Sequence, residues 1–132
     1  MKLSSVDIDQ LLLRDDLRSK VRDDFISGDY ETAVFKAFRF LQESVRAKAA
    51  EPASSLGITL MSAAFSPNNG KLKHPGAAVP QEQDGLHQLM RGAIGWFKNP
   101  SSHRTVPRED DQQAAQVLAF ANLLLDLLDE CK

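Results

Sequence analysis

The amino-acid sequence predicts an all-α protein, a single-domain helical bundle of about five to six helices with one long irregular loop. Apolar residues recur at intervals of three and four along most of the chain, and no segment shows the period-two alternation of a strand. A length of 132 residues fits one domain, residues 1–132. With 42% hydrophobic and 26% charged residues, the composition is that of an ordinary globular protein.

The chain opens with two predicted helices. Residues 5–14 predict a short helix, for which Ser5 is available as the N-cap. Asp15 or Asp16 can cap a second helix that ends before Gly28. The apolar residues of this second helix follow one another at four-residue intervals: Leu17, Val21 and Phe25.

The third helix has the strongest pattern and is predicted from a cap at Asp29 to about Ala50. Its apolar residues form one wide stripe: Ala33, Val34, Ala37, Phe38, Leu41 and Val45. Phe35 and Phe40 lie off this stripe, so a second surface of the helix also needs cover. Residues 56–65 predict a fourth, shorter helix.

Residues 66–80 predict the long irregular loop, because they contain three prolines, two glycines and an Asn-Gly turn signal. Loops of this length are uncommon inside compact domains and are often functional or mobile.

Residues 81–97 predict a fifth, amphipathic helix that leads into a polar corner at residues 98–104. Proline lacks a backbone N–H, so we expect the chain to leave or sharply bend the helix at Pro100. The polar corner combines cationic, amide, hydroxyl and imidazole groups: Lys98, Asn99, Ser101, Ser102, His103 and Arg104. No other stretch of the chain is as chemically dense.

A last helix is predicted over about residues 110–130, with acids at its positive end. Its apolar residues extend nearly around the whole helix, and a helix that is apolar on most sides is buried on most sides. We therefore expect part of this surface to be covered by a second copy of the chain, in a homodimer.

Charge is distributed unevenly along a chain whose net charge is −2. Residues 71–108 carry six cations against two acids, whereas residues 109–132 carry one cation against six acids. A local basic zone on an acidic protein favours phosphate binding at one place. The alternative is that these cations lie on a solvated face and pair with acidic neighbours. The charge distribution by itself favours this alternative.

The segment 97–104 resembles the motif of arginine, asparagine, three residues and histidine that is found in the HEPN superfamily, with Lys98 where that motif has arginine. Three further segments resemble a bacterial family of uncharacterised proteins called Ymh: residues 28–38, 60–65 and 82–85. HEPN domains are small helical bundles, often dimeric, and many are metal-independent ribonucleases. The resemblance therefore implies such an endoribonuclease, in a toxin–antitoxin or phage-defence setting, with RNA or a nucleotide and an antitoxin as partners.

The chemistry of the polar corner fits that activity. His103 suits a general acid/base because an imidazole changes its charge near neutral pH. Lys98 can stabilise phosphate charge, although as a point charge without the fork of an arginine, and Asn99 can orient the phosphate or the imidazole. The predicted substrate-binding residues are Arg104, Ser101, Ser102 and Arg91.

Two alternatives stay open for this corner. In the first, the protein is a non-catalytic module that binds a nucleotide, RNA or another protein, and Lys98 marks a relaxed active site. In the second, the corner is structural: His103 bonds a free carbonyl at the helix end and Lys98 interacts with the helix dipole.

The remaining reactive side chains predict no further site. His74 and His87 are expected to be structural or solvent-facing, Cys131 has no nearby base, and Trp96 is expected in the core or an interface rather than as a base-stacking platform. No side chains occur at metal-ligand spacing, so neither a metal nor another cofactor is expected. We expect a cytoplasmic protein, because the chain has one cysteine and shows no signal peptide. We expect no membrane span, because no apolar run approaches 20 residues.

Overall fold

The computed structural model describes residues 6–132. Its elements are α1 (Ile8–Leu11), α2 (Asp15–Ile26), α3 (Tyr30–Lys48), α4 (Gly57–Phe65), α5 (Pro80–Ala93), a π-helical segment (Ile94–Lys98), α6 (Asn99–His103) and α7 (Asp111–Glu130). These residues contain no strand, which confirms the all-α prediction.

The first two helices begin differently from their predicted caps. The predicted cap Ser5 lies outside the described residues, and the side chain of Asp7 caps α1 by accepting from the backbone N–H groups of Asp9 and Gln10. Asp15 and Asp16 do not cap α2. They lie in its first turn, where the helix dipole favours negative charge.

Helix α3 is the central element, and it packs against α2, α4, α7 and the π-helical segment. The predicted cap Asp29 accepts from the backbone N–H of Thr32 at 3.2 Å, and the predicted stripe of this helix is buried. The two phenylalanines off the stripe are partly covered by cations: Lys20 lies 4.8 Å from the ring centre of Phe40.

The loop between α4 and α5 is irregular, as predicted, and it is tied to the bundle by many hydrogen bonds. Lys73 and Lys132 exchange two backbone hydrogen bonds of 2.9 Å, which join the loop to the end of the chain. The buried side chain of Gln83 donates to the carbonyls of Phe65 and Leu72 at 3.0 and 3.1 Å, and it accepts from the backbone N–H of His74 at 3.2 Å. These hydrogen bonds with Lys132 and Gln83 therefore hold the loop against the rest of the bundle.

Arg14 joins the start of α2 to the end of α7. Its guanidinium lies 2.8 Å from Asp16, 2.9 Å from Asp126 and 2.5 Å from Asp129. A hydrogen bond to Arg14 holds the pKa of Asp16 below its usual value, because the carboxylate is favoured over the carboxylic acid. This network neutralises acids at the negative end of α7, where the helix dipole disfavours them.

Of the two outcomes expected at Pro100, a helix that ends and a helix that bends, the first is wrong. Helical conformation continues through Pro100 to His103, because a π-helical segment precedes it and Pro100 then occupies the first turn of α6. A first-turn residue needs no N–H for the helix, so the proline costs no hydrogen bond there.

Helix α7 buries ten of its twenty residues, including most of the predicted apolar face. Phe120 and Leu127 are partly buried against the core, and Leu123 is 51% exposed. The chain itself thus covers most of the apolar surface for which a second copy was expected.

Candidate functional site

The π-helical segment sets the directions of the side chains that enter the polar corner. The backbone N–H of Asn99 donates to the carbonyl of Ile94, five residues earlier, which inserts one extra residue into the helix. Phe97 points inward and stacks on Phe38, with 5.0 Å between ring centres. Trp96, its neighbour, is 72% exposed, which excludes the core position expected for it within this chain.

Lys98 belongs to the π-helical segment that packs on α3, and two cations of that helix act on its charge. Burial and the positive charges of Arg39 and Arg46 lower the pKa of Lys98, because both disfavour the ammonium form. Glu43 lies 3.8 Å from Arg39, whereas the side chains of Lys98 and Arg46 form no ion pair with any residue of the described range 6–132. We call Arg39, Arg46 and Lys98 the cationic cluster, and its excess positive charge suits an anion.

Asn99 faces the start of α4. A Cβ atom at Gly57 would lie 3.8 Å from both amide atoms of Asn99, so the two residues are close neighbours. Gly57 has a positive φ of 59°, and its backbone N–H donates to the buried side chain of Gln42 at 2.9 Å. Among the described residues the amide group of Asn99 has no hydrogen-bond partner, so its donors and acceptor are available to a ligand.

His103 is exposed at the end of α6, and its imidazole makes no hydrogen bond with residues 6–132. The structural alternative, in which His103 bonds a carbonyl of the helix end, is therefore not observed. Instead, the hydroxyl of Ser102 donates to the carbonyl of Lys98 at 3.3 Å. The hydroxyl of Ser101 is buried and has no partner in the described part of the chain.

Arg104 lines a groove between α6 and α7 with a volume of about 430 Å³. We call it the α6–α7 groove, and its principal side chains are Trp96, Phe97, Arg104, Arg108, Gln113 and Gln116. None of the described residues that line it is acidic. Burial lowers the pKa of Arg108, although Glu31 opposes this shift, and its Nε atom is buried without a partner among residues 6–132.

The predicted site residues thus lie in four places. Lys98 and Asn99 face α3 and α4, Arg104 lies in the α6–α7 groove, and Arg91 lies on α5, where its guanidinium donates to Gln88 at 3.2 Å. His103 lies at the end of α6, and neither it nor Lys98 lines the groove.

Sequence reasoning missed several groups around the corner: Arg39, Arg46, Arg108, Gln113 and Gln116. The arginines of α3 lie more than fifty residues before Lys98, and no local spacing connects them. The two glutamines lie three residues apart on α7, which places them on one face, but that signal is common to any solvated helix.

The other reactive side chains have partners within the bundle or are buried in it. His87 contacts Asp84 and the hydroxyl of Ser62, each at 3.1 Å, and His74 contacts Glu130 at 2.6 Å. Cys131 is buried, and burial raises the pKa of its thiol. Within residues 6–132 no three His, Cys, Asp or Glu side chains are grouped as metal ligands, and no helix has the length and apolarity to cross a membrane.

Fold and site together define a small all-helical domain with a cationic cluster at a helical corner. Residues 12–128 match a family model described as a protein of unknown function (Hypoth_ymh), and the chain belongs to this family. The comparisons give no link to the HEPN superfamily. No curated protein and no solved structure matches the chain.

Proposed function

We propose that this protein is a metal-independent endoribonuclease of the HEPN type, which binds RNA phosphate at the cationic cluster and uses His103 as general acid/base. One observation carries the proposal: Lys98 is partly buried on the π-helical segment that packs on α3, and the charges of two arginines of α3 act against its own charge. No carboxylate of the described chain pairs with Lys98, and an exposed, unbonded imidazole follows five residues later in the sequence. Like charges repel one another, so an anion bound between them would relieve that cost.

Each side chain of the polar corner has its own role in the proposed reaction. His103 removes the proton from a ribose 2′-hydroxyl, the 2′-oxygen attacks the neighbouring phosphorus, and the bond from phosphorus to the 5′-oxygen breaks. Lys98 stabilises the negative charge that develops on the phosphate oxygens, and Asn99 orients the phosphate through its free amide group. The products are a 2′,3′-cyclic phosphate and a 5′-hydroxyl.

The leaving 5′-oxygen needs a proton, and each chain offers one exposed histidine in the corner. We therefore propose that two copies act as a homodimer, in which one His103 is the base and the other is the acid. The same proposal includes a cytoplasmic location and an antitoxin partner, in a toxin–antitoxin or phage-defence setting. These features rest on the resemblance of residues 97–104 to the HEPN motif.

The activity is tested with single-stranded RNA in the presence of EDTA. The wild-type protein should cleave, His103→Ala should lose cleavage by a factor of about 100 or more, and the matched variant His87→Ala should retain it. Lys98→Arg restores the bidentate fork and should raise the rate. Undiminished cleavage by His103→Ala, or none by the wild type on several RNAs, would remove the proposal.

The second candidate function is a non-catalytic module that binds RNA or a nucleotide. Lys98 favours it, because a lysine lacks the planar fork that the HEPN motif places at this position. In this case RNA binding persists and weakens steeply with salt while no product forms. Cleavage that appears only in Lys98→Arg would identify an attenuated nuclease.

A further inference from the structure

The α6–α7 groove contains an exposed aromatic side chain beside unpaired cations. Trp96 is 72% exposed on the π-helical segment, although an indole of this size is one of the side chains that gain most from burial. The groove volume of about 430 Å³ lies within the range of small-molecule sites. The groove is thus large enough for one nucleotide and has a flat aromatic face at one side.

The cations of the groove are not neutralised by its own walls. Arg104 and Arg108 both line it, whereas no aspartate or glutamate of residues 6–132 does. Arg108 lies 5.9 Å from the ring centre of Phe97, and its buried Nε atom lacks a partner among the described residues. The carboxylate of Glu31 acts on Arg108 electrostatically, and it also accepts from the backbone N–H of Val106 at 2.9 Å. The groove therefore retains positive charge for a ligand.

The opposite wall supplies neutral hydrogen-bonding groups. Gln113 and Gln116 project from α7, and their amide groups have no hydrogen-bond partner within the described chain. Amide groups both donate and accept, as the exposed edges of nucleobases do. Proteins bind the unpaired bases and phosphates of single-stranded RNA with aromatic rings, guanidinium groups and hydrogen-bonding side chains, and the groove contains all three.

We propose that the α6–α7 groove is a base-binding subsite that holds one nucleotide of single-stranded RNA, with the base stacked on Trp96 and the phosphate paired with Arg104 and Arg108. The inference rests on the proposed function, since it takes RNA as the ligand. It adds the α6–α7 groove to the cationic cluster as a second contact region for one RNA strand.

Trp96 is the only tryptophan of the chain, so its fluorescence reports directly on this subsite. The probe is a single-stranded 2′-O-methyl oligoribonucleotide, which binds as RNA does but has no 2′-hydroxyl to attack. Its addition should quench Trp96 emission with the same midpoint as the rise in anisotropy of a fluorescently labelled copy. Because the probe cannot be cleaved, the result does not depend on catalysis.

Two pairs of variants separate the groove from the rest of the surface. Trp96→Ala should lower the affinity for the probe about tenfold, while Leu13→Ala, a change of another exposed apolar side chain, should leave it unchanged. Arg108→Gln should weaken binding and reduce the salt slope by about 0.7, while Arg22→Gln on α2 should not.

Three results would overturn the inference. Probe binding without a change in Trp96 emission removes the subsite but leaves RNA binding intact. The second result is a blue shift of Trp96 emission when the protein concentration rises without probe. If Trp96→Ala also forms a smaller assembly and binds the probe with unchanged affinity, a second copy of the chain covers the groove. Absence of probe binding removes the subsite together with the proposed function. Quenching without cleavage of ordinary RNA supports the subsite and removes only the nuclease activity.

Discussion

Replacing Lys98 by methionine removes one charge from the cationic cluster and keeps an unbranched side chain of similar length. Each phosphate contact to a single strand contributes about 0.7 to the slope of log affinity against log salt concentration. The two cluster cations without an ion pair, Lys98 and Arg46, therefore contribute about 1.4, which corresponds to about a sevenfold loss of affinity between about 50 and 200 mM salt. In Lys98→Met the contribution of the cluster falls to about 0.7, and the loss over the same salt range falls to about 2.6-fold.

The assay is the fluorescence anisotropy of a labelled 2′-O-methyl oligoribonucleotide, titrated at several salt concentrations. Arg22→Gln is the matched control, because Arg22 lies on α2 and pairs with Asp9 rather than with the corner. Its salt slope should equal that of the wild type. A Lys98→Met slope that also equals the wild-type slope would refute the assignment of a phosphate to Lys98.

Three further predictions concern the bundle that supports the site. Arg14→Ala should lower the free energy of unfolding by about 1–2 kcal/mol at neutral pH, because it removes four ionic hydrogen bonds to three carboxylates from a partly exposed network. Since the folded-state pKa of Asp16 is depressed, its stabilisation is present above the unfolded-state pKa and is lost as pH falls through the folded-state value. The stabilities of wild type and Arg14→Ala should therefore converge in urea titrations as the pH falls below about 3.9, the ordinary value of an aspartate. Gln83→Leu should cost about 2–4 kcal/mol and increase amide hydrogen exchange in residues 66–79, because three backbone groups lose their partner. If two copies pair through α7, Leu123→Glu should shift the assembly to monomers in sedimentation measurements.

Each of these predictions has a result that contradicts it. An Arg14→Ala variant whose stability deficit does not shrink as the pH falls below about 3.9 would show that Asp16 is not the linked group. A cost below about 0.5 kcal/mol for Gln83→Leu would show that water replaces the lost hydrogen bonds. A Leu123→Glu protein with unchanged mass would place any dimer contact elsewhere on the surface.

Helix positions were predictable where capping residues and an apolar stripe agree. Asp29 caps α3, and Asp110 caps α7 through the backbone N–H groups of Gln112 and Gln113. Both caps satisfy donors that a helix start leaves unpaired, and this requirement is local in sequence. A second local rule, which excludes proline from helix interiors, did not predict that the helix continues through Pro100. That rule assumes regular α-helical hydrogen bonding. The π-helical segment depends on tertiary contacts such as the stack of Phe97 on Phe38, which no local pattern encodes.

The candidate site was predictable only in part, for a related reason. Residues 98–104 could be identified as a candidate site because cationic, amide, hydroxyl and imidazole side chains follow one another within this short segment. The partners of Lys98 come from α3, and the side chains opposite Arg104 come from α7. Their approach is a consequence of helix packing, and packing partners far apart in the chain leave no signal in one sequence.

The chemical ends of RNA fragments test the central claim most directly. Single-stranded RNA is incubated with the wild-type protein and with His103→Ala in EDTA, and the 3′ ends of the fragments are identified by mass spectrometry. The account predicts 2′,3′-cyclic phosphate ends with the wild type and none with His103→Ala. Fragments with 3′-hydroxyl ends, or the same cyclic ends from both proteins, would contradict the assignment of His103 as the acid/base group.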